Sequence, residues 1–313
     1  MQVSDRIGRR LKLHDLHVLM AVVQAGSMRK AAAFLHTTQP AVSRSIAELE
    51  HAFGVRLLDR SAQGVEPTQY GHALLRRGAT VFDELKRSGQ DIEFLSDPEA
   101  GEVRIGTAPG LAATFVAAVI DRLSRRYPRI AIHLVTQPDV NALQRELNER
   151  NVDLVIQWRH GPFLDEQFAF EGLFDTSFVV VAGAQHPLAR RRRVDFAELL
   201  SQPWVLSPPN SPFSLATMNA FRASGLDYPQ AMVTAAEVYV RMELLKSGRF
   251  LSIFTNSMLS SNRPELKVLP VKLPVAEAPV GIATLKNRTL TPVAQLFIDA
   301  TREFAKRLAK GKS

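Results

Sequence analysis

The stretch that decides the fold of this chain is residues 37–44, which read Thr37-Thr38-Gln39-Pro40-Ala41-Val42-Ser43-Arg44. Thr38 suits the N-terminal cap of a helix, because its hydroxyl oxygen can accept a hydrogen bond from a backbone N–H of the first turn. Pro40 falls in that first turn, where the N–H that proline lacks is not needed. The sequence therefore predicts a helix that begins at Thr38.

This predicted helix has one apolar side. Four apolar residues recur along it at helical spacing, and a glycine follows that can end it: Val42, Ile46, Leu49, Phe53 and Gly54. The polar residues of the first turn are left on the other side of the helix. A short helix with a buried stripe and a polar tip is what DNA recognition requires.

Further elements are predicted around this helix. An earlier helix ends at Gly26-Ser27, and the alanine-rich segment 31–35 follows as a second helix. Two short extended arms around a turn (residues 55–58 and 64–68) resemble a wing, and a long helix covers about residues 69–94. The sequence thus predicts a helix-turn-helix with a wing, joined to a long helix.

The tip of the predicted recognition helix carries side chains that can read DNA. In a helix-turn-helix, the N-terminal residues of the second helix meet base edges in the major groove. Gln39 can bond adenine through two hydrogen bonds, and Arg44 can reach a phosphate or guanine. The predicted DNA-binding residues are Thr38, Gln39, Pro40, Ser43, Arg44 and, on the wing, Arg60. The alternative is a small helical domain with a solvated polar face.

After Gly101 the pattern changes to alternating strands and helices, which predicts an α/β region with mostly parallel sheets. In such sheets, ligands bind beyond the carboxyl ends of strands, at helix N-termini. The candidate ligand-binding residues at these positions are Thr107, Pro109, Gly110, Gln137, Val140, Trp158, Arg159, Ser207, Asn210, Phe213 and Glu237. Helix N-termini together with Arg159 favour a small carboxylate as the ligand, and Trp158 and Phe213 allow a ring.

Several of these candidates have simpler interpretations. Trp158 could cover the core, and Arg159 could be a solvated surface charge. Ser207 and Asn210 could form turns in a proline-rich loop, and Glu237 could complement a helix dipole.

The length, composition and charge of the chain limit the classes of protein to which it can belong. The chain has 313 residues, of which 46% are hydrophobic, so a packed core is expected. No apolar run reaches the roughly 18 residues of a membrane span, and the charged N-terminus does not resemble a signal peptide. We therefore expect a soluble, cytoplasmic protein without membrane contact. The net charge of +8 supports a nucleic-acid partner only mildly, because residues 1–60 carry just +4.

The sequence gives little reason to expect an enzyme. Cysteine is absent, which excludes disulfides, thiolate metal sites and cysteine nucleophiles. The eight histidines show no metal-ligand spacing, and phosphate-loop, dinucleotide and serine-nucleophile motifs are missing. No metal and no cofactor are expected. A solute-binding receptor and a ligand-independent nucleoid protein remain as alternatives.

Residues 17–75 resemble the LysR-type transcriptional regulators. The resemblance is carried by Ala25-Gly26-Ser27, Ala31-Ala32, Leu35, residues 39–44, Ile46, Leu49-Glu50, Gly54-Val55, Leu57, Arg60, Pro67-Thr68 and Gly71. It continues more loosely in His186-Pro187-Leu188-Ala189, Pro203-Trp204 and Thr291-Pro292-Val293-Ala294. One departure is Arg249, which stands where the family commonly has a second glycine, so the resemblance implies no loop conformation at this position.

The resemblance implies a multidomain α/β protein. It would have a winged helix-turn-helix at 1–68, a linker and dimerisation helix at 69–96 and an effector domain at 97–313. That domain would have two lobes of the periplasmic-binding-protein type, about 101–174 with 274–313 and about 175–273. The implied function is sequence-specific regulation of transcription, modulated by a small molecule between the lobes. The implied partners are double-stranded promoter DNA, RNA polymerase and further copies of the chain, as a dimer or homotetramer.

Overall fold

The computed structural model describes residues 11–61, 64–159, 167–209, 211–259, 264–271, 273 and 277–310. The chain forms two compact units, Met1–Gly89 and Gln90–Ser313. Each unit has a hydrophobic core of its own. In the part of the chain that is described, no helix is both long enough and apolar enough to cross a membrane.

The first unit contains three short helices, a hairpin and the beginning of a long helix. The helices are α1 (Leu13–Ala25), α2 (Met28–Phe34), α3 (Gln39–Phe53) and the long α4 (Gln69–Ser96). The hairpin consists of β1 (Leu58–Ser61) and β2 (Gly64–Pro67), which pair antiparallel.

The core of this unit is built around the apolar stripe of α3. Val42, Ile46 and Leu49 are fully buried, and the small Ala31 and Ala32 of α2 are buried in the same cluster. Gly26 ends α1 in the left-handed conformation, with φ of 69°, which costs glycine little. Local capping and long-range packing therefore specify the same three-helix arrangement.

Two side chains fix the hairpin to the helices around it. The carboxylate of Glu50, on α3, accepts hydrogen bonds from the backbone N–H groups of Leu57 (2.8 Å) and Leu58 (3.3 Å). The hydroxyl of Thr68 donates to the carbonyl oxygen of Arg56 (2.9 Å) and accepts from the N–H of Gly71 (3.1 Å). The orientation of the hairpin is thus tied to the recognition helix.

The second unit contains two five-stranded sheets with helices packed on them. The first sheet has the order β4-β3-β5-β12-β6, with β3 (Ala100–Thr107), β4 (Arg129–Thr136), β5 (Leu154–Trp158), β6 (Phe168–Thr176) and β12 (Ala278–Leu285). The second has the order β11-β7-β10-β8-β9, with β7 (Phe178–Gly183), β8 (Trp204–Leu206), β9 (Ala231–Thr234), β10 (Leu251–Thr255) and β11 (Leu266–Val268).

Helices connect these strands. Helix α5 consists of the α-helical Pro109–Leu111, the π-helical Ala112–Val116 and the α-helical Ala117–Arg126. The other α-helices are α6 (Val140–Asn148), α7 (Pro212–Ala223), α8 (Val238–Lys246) and α9 (Pro292–Lys310). Three short 3-10 helices cover Pro187–Arg190, Phe196–Leu199 and Asn256–Leu259.

The expectation of mostly parallel sheets is wrong, because both sheets are mixed. In each sheet three strands are parallel (β4, β3 and β5; β9, β8 and β10), and the other pairs are antiparallel. A helical crossover enforces parallel pairing only between the strands that it connects. Strand β6 instead continues into β7 of the other sheet through Ser177, and β12 returns from that sheet.

Candidate DNA-binding surface and ligand cavity

The tip of α3 is built as the sequence predicts. The backbone of Thr38 is extended, and its side chain accepts a hydrogen bond from the N–H of Ala41 at 3.4 Å. Gln39 and Pro40 follow in the first turn and are exposed. Because the opposite stripe is held in the core, these side chains are presented outward by a rigid element.

Two arginines extend this polar surface. Arg44 is exposed on α3, one turn beyond Pro40, and Arg60 is exposed on β1. Ser43, beside Arg44, is half-buried. Neither arginine forms an ion pair with another described residue, so both guanidinium groups are available to phosphates.

A cavity of about 290 Å³ lies in the second unit, where strand ends of both sheets meet. Its lining residues lie at or shortly after the carboxyl ends of β3, β4 and β5 in the first sheet and of β8, β9 and β10 in the second. This is where open α/β sheets bind ligands. The predicted residues that line it are Pro109, Gly110, Gln137, Val140, Trp158 and Ser207.

Other predicted residues lie elsewhere. The hydroxyl of Thr107 is buried and donates to the carbonyl oxygen of Ile156 at 2.7 Å. The guanidinium of Arg159 is exposed and lies 5.7 Å from the centre of the Phe170 ring. Glu237 is exposed at the N-terminal end of α8, and none of these three residues lines the cavity.

Two further predicted residues fall outside the described part of the structure, one of them with its side chain only. Asn210 lies outside the described residues. Phe213 lies in the first turn of α7, and its side chain is outside the described part of the structure.

Most of the cavity wall is apolar, and its polar features favour an anion. The N-terminal ends of α5, α6, α7 and α8 reach the wall through Gly110, Val140, Ser211 and Val238. The positive end of each helix dipole therefore lies at the cavity wall. Asp139 is the single carboxylate among the described lining residues, and it accepts from the backbone N–H of Asn141 at 3.1 Å.

Two buried polar residues of the wall are not among the candidate ligand-binding residues, although one of them, Gln157, directly precedes Trp158 at the same predicted strand end. Gln157, at the end of β5, is 1% exposed, and within the described part of the chain neither its amide nitrogen nor its oxygen has a hydrogen-bond partner. Arg241, on α8, is 3% exposed, and its Nε has no partner either. A signal for Arg241 was present, because it lies three residues after Val238 on the same buried side of α8.

The contacts of the Arg241 guanidinium with described residues are weak. Its Nη1 donates to the carbonyl oxygen of Ile253 at 3.3 Å, and its Cζ lies 4.9 Å from the centre of the Phe254 ring. Burial lowers the pKa of Arg241 to about 10, an effect that Tyr228 partly opposes. The side chain therefore stays charged at neutral pH, and no described carboxylate compensates that charge.

No metal site is evident in the described part of the chain. There, no group of three or more histidine, aspartate and glutamate side chains is arranged to hold a metal ion.

A helix-turn-helix with an exposed polar tip, in one chain with an α/β unit that contains a cavity, is the architecture of a ligand-sensing DNA-binding protein. Residues 13–72 match the model of the bacterial regulatory helix-turn-helix protein, lysR family, and residues 96–306 match the LysR substrate binding domain. The chain belongs to the LysR family of transcriptional regulators. It is a DNA-binding regulator of transcription with an effector-binding domain, and the predicted fold class is confirmed.

Individual relatives are similar over nearly the whole chain. The HTH-type transcriptional regulator GbpR of Azospirillum brasilense is 28% identical, with 94% of this chain and 86% of GbpR aligned. PcaQ of Agrobacterium fabrum is 24% identical, with 98% and 99% aligned.

Solved structures have the same fold. A full-length OxyR variant from Pseudomonas aeruginosa superposes with a TM-score of 0.67 at 20% identity, and the match covers 95% of both chains. Full-length CbnR complexed with its target DNA superposes with a TM-score of 0.55 at 20% identity, covering 94% of this chain and all of CbnR.

Proposed function

We propose that α3 reads promoter DNA in the major groove through its first turn. The observation that carries this proposal is that Gln39 is exposed at the tip while Val42 and Ile46 fix the opposite side in the core. Base edges are read by Gln39 and Ser43, and phosphates are bound by Arg44 and Arg60. Thr38 and Pro40 set the start of the helix.

A mobility shift with the full-length chain tests this assignment. The protein is mixed in parallel with two labelled duplexes: the DNA upstream of the gene for this protein, and a scrambled duplex of the same composition. We expect the upstream DNA to be retained at salt concentrations where the scrambled duplex is released. Equal retention of both duplexes would leave only nonspecific binding and would contradict the proposal.

We propose further that the cavity binds a small carboxylate as effector. Four helix N-termini, an apolar wall and a single, engaged carboxylate favour an anion with an apolar body. The chain binds this molecule without converting it, so the acid should be recovered unchanged after prolonged incubation. A new product in the nuclear magnetic resonance spectrum would instead indicate an enzyme.

The predicted division of the chain remains part of the proposal: residues 1–68 bind DNA, 69–96 link and dimerise, and 97–313 sense the effector. Apolar side chains exposed along α4 support the dimer, since Val81, Leu85 and Ile92 are 41%, 47% and 65% exposed. Two such dimers form a tetramer, which acts on promoter DNA in the cytoplasm together with RNA polymerase.

The effector regulates by binding one arrangement of the oligomer better than another. A ligand shifts an equilibrium only by its difference in affinity for the two states. Because strand ends of both sheets contribute to the cavity wall, a ligand there contacts two parts of the sensing unit at once. We propose that this contact resets the spacing of the recognition helices on DNA.

A further inference from the structure

The cavity wall contains two buried polar groups with unused hydrogen-bonding capacity. Gln157 belongs to the first sheet of the second unit, and Arg241 belongs to a helix that follows β9 of the second sheet. They therefore reach the same cavity from the two different sheets. Their chemistry differs, because the guanidinium group only donates whereas the carboxamide both donates and accepts.

The buried positive charge of Arg241 favours an anionic ligand. Burying a cation is unfavourable unless an opposite charge and hydrogen bonds compensate it. A second cavity, of about 10 Å³, adjoins Arg241 and is also lined by Thr217 and Tyr228. That volume has room for about one water molecule. A water there can accept a hydrogen bond from the guanidinium group, but it cannot neutralise the charge.

The carboxamide of Gln157 favours a neutral ligand group that both donates and accepts hydrogen bonds. A buried amide that has lost its contact with water is unfavourable until both its donor and its acceptor are satisfied. A hydroxyl group or a primary amide can do both, since each donates and accepts. A second carboxylate satisfies only the amide N–H groups and leaves the oxygen of Gln157 without a donor.

We infer that the effector is a small carboxylic acid with one carboxylate, one hydroxyl or amide group and an apolar body. Arg241 binds the carboxylate, and Gln157 binds the neutral group. This inference rests on the proposed function, in which the cavity is the effector site. The ligand then joins the two sides of the cavity by hydrogen bonds, which favours the arrangement of the sheets that brings both residues to it.

Thermal unfolding and calorimetry of the full-length chain test the ligand class. The panel contains linear and cyclic monocarboxylates, with and without a hydroxyl group, and the primary amide of each acid. We expect hydroxy acids to bind most tightly, plain acids less tightly and the neutral amides not measurably. Binding of the amides as tightly as the acids would overturn the role given to the carboxylate.

Two matched variants test the role of Arg241. Arg241→Met should weaken binding of the best acid about 30-fold or more, the lower range for truncating one partner of a buried charged pair. Without ligand, its Tm should equal or exceed that of the parent chain, because an uncompensated buried charge is removed. The control is Arg249→Met, since Arg249 is exposed and also lies over a ring, that of Phe250, at 5.2 Å. It should bind the acid normally.

A further pair of variants distinguishes a failure of this inference from a failure of the proposed function. Ala236 is exposed at the cavity wall, so Ala236→Trp narrows the cavity and should abolish binding. Gln157→Leu should remove the preference for hydroxy acids while plain acids still bind. If Ala236→Trp abolishes binding but Arg241→Met binds as the parent does, the inference is wrong and the effector site stands. If the acid still binds to Ala236→Trp with full affinity, the effector site itself is wrong.

Discussion

At the scale of single residues, the chain uses polar groups in two opposite ways. Gln39 is exposed at the tip of a rigid helix, where we propose that it contacts base edges in the groove of DNA. Gln157 is buried in a cavity wall, and its carboxamide has no hydrogen-bond partner among the described residues. Both carboxamide groups thus keep hydrogen-bond donors and acceptors that no described residue occupies. These groups are available to a partner from outside the chain.

Replacing Gln39 tests the first of these roles. Gln39→Ala should relax specificity at one base pair of the site, with a loss of about 1–3 kcal/mol on the preferred sequence. Binding to a set of promoters with single base-pair changes measures this effect. Arg60→Ala is the comparison, and it should weaken all sequences alike and reduce the salt dependence by about one counterion. An unchanged sequence preference in Gln39→Ala would mean that the recognition helix is misplaced.

The ligand site shows why residue roles are harder to predict than elements. The sequence predicts Arg159 as an anion-binding residue because it follows a strand, yet it lies outside the cavity, over Phe170. Arg241 reaches the cavity from the middle of a helix. Strand ends can be located from local sequence, whereas the direction of a long side chain depends on which sheet its helix covers.

At the scale of elements, the recognition helix and the hairpin are held together by a side-chain contact. Glu50 connects them by accepting from the N–H groups of Leu57 and Leu58. The helix itself was predictable, because cap, proline and apolar stripe are local signals. The edge strands β6 and β9 have no such local signal, since exposed residues, such as Met232 on β9, interrupt the apolar pattern.

Removing the Glu50 contact should loosen the hairpin. Glu50→Ala should lower the free energy of unfolding by about 1–3 kcal/mol, because two backbone N–H groups lose a charged acceptor. Glu48→Ala is the matched control, since Glu48 only forms an exposed ion pair with Lys12 at 3.6 Å, and it should change stability by less than about 0.5 kcal/mol. Denaturant unfolding measures both. Equal effects of the two substitutions would show that the contact with the hairpin contributes nothing.

A pH dependence is expected at the 3-10 helix Pro187–Arg190. His186 is buried, and its Nδ1 accepts from the N–H of Leu188 at 3.1 Å, so the ring is neutral there. Burial lowers the pKa of His186 below its ordinary 6.5. The unfolded chain therefore binds a proton more readily, and the stability contributed by the neutral ring is lost as pH falls below about 6.5.

His186→Asn removes this titration but keeps an acceptor for the N–H of Leu188. The free energy of unfolding, measured between pH 8 and 5, should therefore fall less with decreasing pH in the variant than in the parent chain. Parallel profiles for the two proteins would show that His186 does not contribute to the acid sensitivity.

At the scale of the whole molecule, fold class was predictable from the order of elements, whereas sheet topology was not. Alternating strands and helices indicated α/β architecture, and family resemblance indicated two lobes. The crossing of the chain from β6 to β7 has no local signal, because a strand that changes sheets has the same sequence pattern as one that does not. The antiparallel half of each sheet follows from that crossing.

Oligomerisation should depend on the exposed apolar side chains of α4. Leu85→Glu places a charge among them and should shift the sedimentation profile toward smaller species, because a carboxylate is costly to bury in an interface. Lys86→Glu adds the same side chain one position away, at another exposed site, and should leave the profile unchanged. A tetramer that persists in Leu85→Glu would place the interface elsewhere.

The proposed coupling between an acid in the cavity and DNA at α3 is measured most directly by a footprint. The full-length chain and Arg241→Met are each footprinted on the DNA upstream of the gene, with and without saturating hydroxy acid. We predict that both proteins protect the same DNA without the acid, and that the acid changes the extent of protection for the parent chain alone. An unchanged footprint for the parent chain, or the same change in Arg241→Met, would contradict the account.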